Sequence, residues 1–423
     1  MDWRAIAAAK YRWDDWLLGT AGAYLALAPT NALTFPRSVF FATAAVLALL
    51  LLLRAALRLG PGYAPPPRAV AWTFGLWCLW STASLLWSVD PAFSAGHWRR
   101  EIGWTLLTVV VFHVATRDAR AWRRLVATAL ASFVVLALAA LVYAASARDW
   151  NASIWHGGVG PWSTFVVIIA PFCLALLAPA PAGFANGRRS VALGAALLVL
   201  LLASARTSDN RMVWIALAVS FAFASALGGW RWHGSLRRAP LRWLLPGACV
   251  LIALGALFAS TAREKAQLNF SPQTSVTEAL AADPRPHLWS HTLERIRERP
   301  WTGYGLGRAI IGDQMRQALH DPLMSHAHNV FMSQWLQTGL PGLASFVALL
   351  ATLAGAYTAA YRSSDDARAT VGVVGLALVA GFVVKNLTDD FLFGANAKEF
   401  WALNAMLLAF DAQLRRVPPA AAL

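Results

Sequence analysis

The feature that most constrains this chain is the recurrence of apolar runs about as long as a bilayer is thick. A helix that crosses a membrane needs about 20 mostly apolar residues. Stretches approaching that length occur at residues 14–33, 38–58, 69–88, 101–116, 123–146 and 162–180, and again at 190–207, 211–229, 242–261, 339–361, 369–388 and 398–414. Phe40 to Leu53 runs almost without a polar side chain. Only 13% of the residues are charged, about half the share in a soluble domain, so lipid is the solvent for most of the surface. In hydrocarbon a backbone must satisfy its own polar groups, which leaves helices as the economical solution. The expected fold is an all-α integral membrane protein with about twelve transmembrane helices.

Charge gives the orientation. A net charge of +15 on a soluble chain would point to nucleic acid, but basic residues held in cytoplasmic loops produce the same excess. With the N-terminus inside, alternate loops on the cytoplasmic side collect 20 Lys and Arg, against 7 in the short loops opposite. That asymmetry fits twelve spans with both termini inside. No nucleic-acid partner is expected; membrane lipids are. Cys78, Cys173 and Cys249 all lie in apolar runs, where cysteine acts as a small packing residue.

Three regions follow. Residues 1–261 hold nine spans, 262–338 form a large periplasmic loop, and 339–423 hold three more spans. Loops this long in compact folds are usually functional. Within it, Trp289 to Glu298 reads as an amphipathic helix that turns Trp289, Leu293 and Ile296 to one side, and Pro300 stops it. Phe331 to Leu336 is too short to span and is broken by Gly339-Leu340-Pro341-Gly342. Such a short interfacial helix would offer free N–H groups and a positive dipole end to an anion.

Candidate chemistry gathers on the outer side. His328, in His326-Ala327-His328-Asn329, has an ordinary pKa near 6.5 and can be a neutral base; a capping or headgroup-anchoring histidine is the plainer reading. Arg211 opens a span on the face that basic residues avoid, which binding a phosphate would explain; pairing with Asp209 is the alternative. Arg285 precedes the amphipathic helix on the same side, and two guanidiniums can clamp a pyrophosphate bidentately. Arg206 is a weaker candidate of that type. Lys385 and Asp389 lie four residues apart near the outer end of a span, the spacing of an ion pair. His287 and His291 share that spacing, but only Glu294 could complete a ligand set, so neither a metal nor another cofactor is expected.

Three stretches carry a resemblance to a known family. They are Thr207 to Leu217, Arg285 through Gly307, and His328-Asn329-Val330-Phe331 through Gly342. Together with the span layout they resemble the O-antigen ligase and polymerase superfamily of lipopolysaccharide biosynthesis. The resemblance implies an inverting, metal-independent glycosyltransferase of the bacterial inner membrane, with its active site facing the periplasm, whose donor is an O-antigen glycan on undecaprenyl pyrophosphate and whose acceptor is lipid A–core. It implies His328 as general base and Arg211 and Arg285 as the pyrophosphate-binding arginines, with Arg206, His326, Asn329, Lys385 and Asp389 as supporting candidates. Family members often carry glycine before the second arginine, where this chain has Pro284. Sibling activities on the same donor, polymerisation of O-units or transfer to protein hydroxyls, use the same residues. An ion-coupled transporter built on Lys385 and Asp389 is the reading from another class, but only one interrupted helix is found where two matching ones are usual.

Overall fold

The computed structural model describes residues 3–30, 33–60, 62–146, 158–177, 188–233, 251–264, 283–321 and 324–416. The protein is all-helical in its membrane part and crosses the membrane several times. Seven helices are long and apolar enough to span: Thr34–Ala56, Arg68–Trp87, Ala119–Ala145, Arg189–Arg206, Arg211–Trp232, Val330–Tyr361 and Asp366–Lys385. Of the remaining expected spans, Trp104–Ala115 and Val159–Ala175 are apolar but shorter. Gly394–Leu414 carries Lys398, Glu399 and Asp411, and the stretch expected at 242–261 lies partly outside the described residues. Cys249 lies outside them too.

Burial sorts the helices into an enclosed centre and a lipid-facing rim. On Thr34–Ala56, Val39, Val46, Leu49 and Leu53 face outward, as a helix solvated by acyl chains should. Asp366–Lys385 lies at the centre, packed on Val330–Tyr361, Arg211–His233 and Val159–Ala175. Small residues permit this approach: Gly372 and Gly375 lie against Tyr357 and Tyr361, and Gly381 against Val167 and Ser220. The central helix can therefore end, at Lys385, beside the starts of its neighbours.

Val330–Tyr361 is broken at Gly339, whose φ is 69° and ψ −177°, a region open essentially to glycine alone. A broken helix leaves carbonyls and an N–H without intrahelical partners. Here the glycine-rich turn from Pro300 to Gly307 supplies them. The Tyr304 N–H donates to Leu336 O at 2.9 Å, the Gly305 N–H to Gln337 O at 2.9 Å, and Leu340 N–H to Pro300 O at 2.8 Å. The Trp80 indole donates to Thr338 O at 2.8 Å. The same turn ties back to the 84–98 region, where Val89 N–H donates to Tyr304 O and the Ser94 hydroxyl to Leu306 O.

Two sequence expectations change. The amphipathic helix begins at Arg285, and its buried stripe is Leu288, Thr292 and Ile296; Leu293 is exposed and Trp289 only partly covered. A spacing of i, i+4, i+8 follows one narrow face, whereas Leu293 lies a full residue round from it. The short helix at Val330 also offers no open N-terminus to an anion. Phe331 and Met332 N–H groups donate to the Asn329 side chain, and Val330 N–H donates to Asn386 O at 3.0 Å.

Replacing Gly339 by alanine would force a Cβ against the Trp301–Thr302 backbone in a disallowed conformation. It is expected to cost about 2 kcal/mol or more, read as a lower thermal midpoint in detergent. An unchanged midpoint would show that the Pro300–Gly307 turn does not brace the break.

Candidate active site

Asp283 starts the site. Its Oδ1 accepts the Arg285 backbone N–H at 3.0 Å, so the Asp283-Pro284-Arg285-Pro286 segment closes into a short rigid turn at the head of the Arg285–Glu298 helix. Pro284, at φ −71° and ψ −11°, sits comfortably there because proline already favours that φ. The second oxygen of Asp283 accepts from Arg285 Nη1 at 3.3 Å and from Arg211 Nη2. One carboxylate thus holds two guanidiniums, one of them from Arg211, 72 residues away along the chain.

The line continues to Asp389, just past the central helix. Arg285 Nη2 lies 4.0 Å from Asp389 Oδ1, Lys385 Nζ donates to Asp389 Oδ2 at 2.5 Å, and His328 Nδ1 is 3.9 Å from Asp389 Oδ1. Lys385 is fully buried and Asp389 is 6% exposed. Burial alone would raise the Asp389 pKa, but the Lys385 ammonium, the His328 ring and the Arg285 guanidinium outweigh it and hold the carboxyl well below the usual range. Counting Arg211, Arg285 and Lys385 against Asp283 and Asp389 leaves one surplus positive charge.

His328 is held on a loop with φ 47°, a left-handed conformation that non-glycine residues rarely adopt and that clusters at functional sites. The loop is pinned from both sides. The Trp289 indole donates to Ala327 O at 3.0 Å, and the Asn329 amide to Leu387 O at 2.8 Å. The His326 ring lies under His328 with centroids 3.8 Å apart. Arg308 Nη2 is 3.4 Å from His326 Nδ1. Arginine can only donate, so this nitrogen accepts and the proton sits on Nε2.

Of the sequence candidates, Arg211, Arg285, His328, Lys385 and Asp389 thus share one cluster, with His326 behind it. Asn329 caps the following helix and acts on the backbone. Arg206 turns elsewhere, to Asp209 at 3.1 Å and to Glu264, so Asp209 is not the partner of Arg211. Sequence reasoning missed Asp283 and Arg308. Asp283 stood beside Arg285 in the sequence and could have been marked as its local partner; its bond to Arg211 left no such trace. His291 faces Glu294, and among the described residues no group of three His, Cys, Asp or Glu could hold a metal ion.

His326 gives a pH prediction. Burial, then the charges of Arg308 and His328, push its pKa down to about 2. Its folded value lies below the unfolded one near 6.5, so its contribution to stability is whole above that pH and is lost as pH falls. The loss is at most about 1.4 kcal/mol per pH unit. Thermal midpoints in detergent should therefore fall between pH 7 and 5, and His326→Asn should flatten that slope; an unaltered slope would mean that His326 titrates normally.

Residues 174–347 match the family model described as O-antigen ligase. A curated relative, the general O-oligosaccharyltransferase of Acinetobacter baylyi, is 30% identical over 158 residues, covering 34% of this chain and 26% of the relative. The matching stretch is thus about a quarter of the relative's own length. The stretch that is similar to the O-antigen ligase family, residues 174–347, holds Arg211, Asp283, Arg285, Arg308 and His328.

Proposed function

We propose that this protein transfers a glycan from undecaprenyl pyrophosphate to a sugar hydroxyl of lipid A–core, at the periplasmic face of the inner membrane and without a metal. The observation that carries the reading is the convergence of His328 and Arg285 on Asp389, with Arg211 joined to Arg285 through Asp283, beside the end of the central helix. His328 turns Nδ1 toward Asp389, which leaves Nε2 to take the proton of the attacking hydroxyl. Asp389 orients the ring and offsets the imidazolium that forms. The 3.9 Å separation is long for a hydrogen bond, as such contacts often are before substrate binds.

The hydroxyl attacks the anomeric carbon from the face opposite the pyrophosphate, and the centre inverts. The departing pyrophosphate gains negative charge at Arg211 and Arg285, in a partly water-excluded site with a surplus positive charge. Fixed cations aimed at developing charge are worth several kcal/mol there. Because Asp283 already fixes both guanidiniums, little reorganisation is needed when the leaving group arrives. Lys385, fully buried, acts through Asp389.

A second reading, with a protein hydroxyl as acceptor, is supported by the likeness to a general O-oligosaccharyltransferase. Polymerisation of O-units would use the same donor and residues. Purified protein given undecaprenyl-pyrophosphate-linked glycan in EDTA, with lipid A–core and an acceptor protein in separate reactions, distinguishes them. Lipopolysaccharide of higher mass supports the ligase; glycoprotein alone supports the second reading.

In whichever reaction proceeds, His328→Ala should lose about 10²–10⁴-fold in kcat, and Arg285→Ala or Arg211→Ala about 10²–10³-fold. Transfer at the wild-type rate by His328→Ala would remove it as the base.

A further inference from the structure

Beyond His326 lies a second polar cluster that the transfer mechanism does not use. Arg308 Nη1 donates to the backbone carbonyl of Asp390 at 2.8 Å, and its guanidinium lies 4.0 Å above the Phe393 ring. The Asp390 side chain is left over: the residue is 4% exposed, and its Oδ2 is buried with no hydrogen-bond partner. Unsatisfied buried oxygens are rare and carry a substantial desolvation cost. Glu101 reaches the same cluster through His97, whose ring packs with Phe93 against Gly307, the residue before Arg308. It sits in a π-helical turn, Arg99–Gly103, a distortion that frequently marks functional positions. Glu101 meets His97 Nδ1 at 2.6 Å, and the His97 ring lies 4.3 Å from Phe93. His97 is 23% exposed on its side chain, which opens the cluster to solvent.

The chemistry of these groups selects a ligand class. A carboxylate only accepts hydrogen bonds and a guanidinium only donates them. A phosphate would be repelled by Asp390 and Glu101, and an ammonium by Arg308. A neutral sugar meets both demands, because each hydroxyl donates to a carboxylate and accepts from the arginine. The half-buried edge of Phe93 and His97 offers an apolar face for the ring carbons. One histidine ring separates this cluster from His328, since Arg308 touches His326 and His326 lies against His328.

We infer that Asp390, Glu101 and Arg308 form a subsite for a neutral sugar of the acceptor, next to the hydroxyl that His328 deprotonates. The inference rests on the glycan-transfer reading and names where its acceptor binds. The full chain in lipid nanodiscs would be titrated with lipid-free core oligosaccharide from rough lipopolysaccharide, and acceptor and donor KM measured in the transfer assay. Asp390→Asn and Glu101→Gln are each expected to weaken oligosaccharide binding and raise acceptor KM by about tenfold or more, the loss of a hydrogen bond to a charged group. Donor KM should stay within about twofold, and Glu294→Gln, exposed on the nearby helix, should change neither. Thermal midpoints near wild type identify folded variants, and either one suffices.

If folded Asp390→Asn and Glu101→Gln bind oligosaccharide as wild type does, the subsite is overturned while the transfer reading stands. Oligosaccharide that fails to bind wild type overturns it as well. Binding that the variants lose, in a wild type that transfers nothing to lipid A–core, upholds the subsite and sinks the ligase reading.

Discussion

Everything at the outer end of this protein depends on one buried ion pair. Lys385 closes the central helix with no exposed surface, and an ammonium there is tolerable only if its charge is met. Asp389 meets it, and is fixed in place by doing so. Once fixed, it presents its other oxygen to Arg285 and His328. Removing one member of such a pair typically costs about 3–5 kcal/mol, because the partner is left charged and alone. The geometry of the candidate site and the stability of the helix end are therefore the same interaction seen from two sides.

A similar economy runs through the rest of the site. Asp283 forms the turn that starts one helix and also joins two arginines of different segments. Asn329 caps one helix and ties it to the loop that carries Asp389. The polar groups that hold the chain together here also fix the spacing of the candidate site's charged groups. Preorganisation of this kind is what lets fixed charges favour a transition state over a ground state.

Much of this was legible in the sequence, for reasons that differ from residue to residue. Apolar runs declare themselves because lipid solvates every face of a span, so Phe40 to Leu53 needs no partner to be recognised. Arg211 stood out because charge on the sparsely basic side of a membrane needs a reason, and His328 because a histidine before a short interfacial helix can serve as a neutral base. The break at Gly339 was visible as Gly-Leu-Pro-Gly. Partnerships were less visible. Arg211 had Asp209 close at hand, yet Asp209 adopts φ 45° and turns to Arg206, leaving Arg211 for a carboxylate far along the chain. The cap made by Asn329 closed a helix end that the dipole argument alone would have left open. Arg308 was hidden because a loop arginine looks like any solvated charge until the fold buries it beside His326.

The broken helix carries one more consequence. Its orphaned carbonyls are satisfied by an irregular strip of the chain, from Pro300 to Gly307, and by a tryptophan indole, so water is not required at the break. Non-helical backbone is tolerated at membrane depth where protein supplies the partners. A helix interrupted in this way can therefore be sunk toward the acyl chains without exposing bare backbone to them. On the proposed reading, a donor anchored by a long lipid tail then need not be lifted out of the bilayer to react.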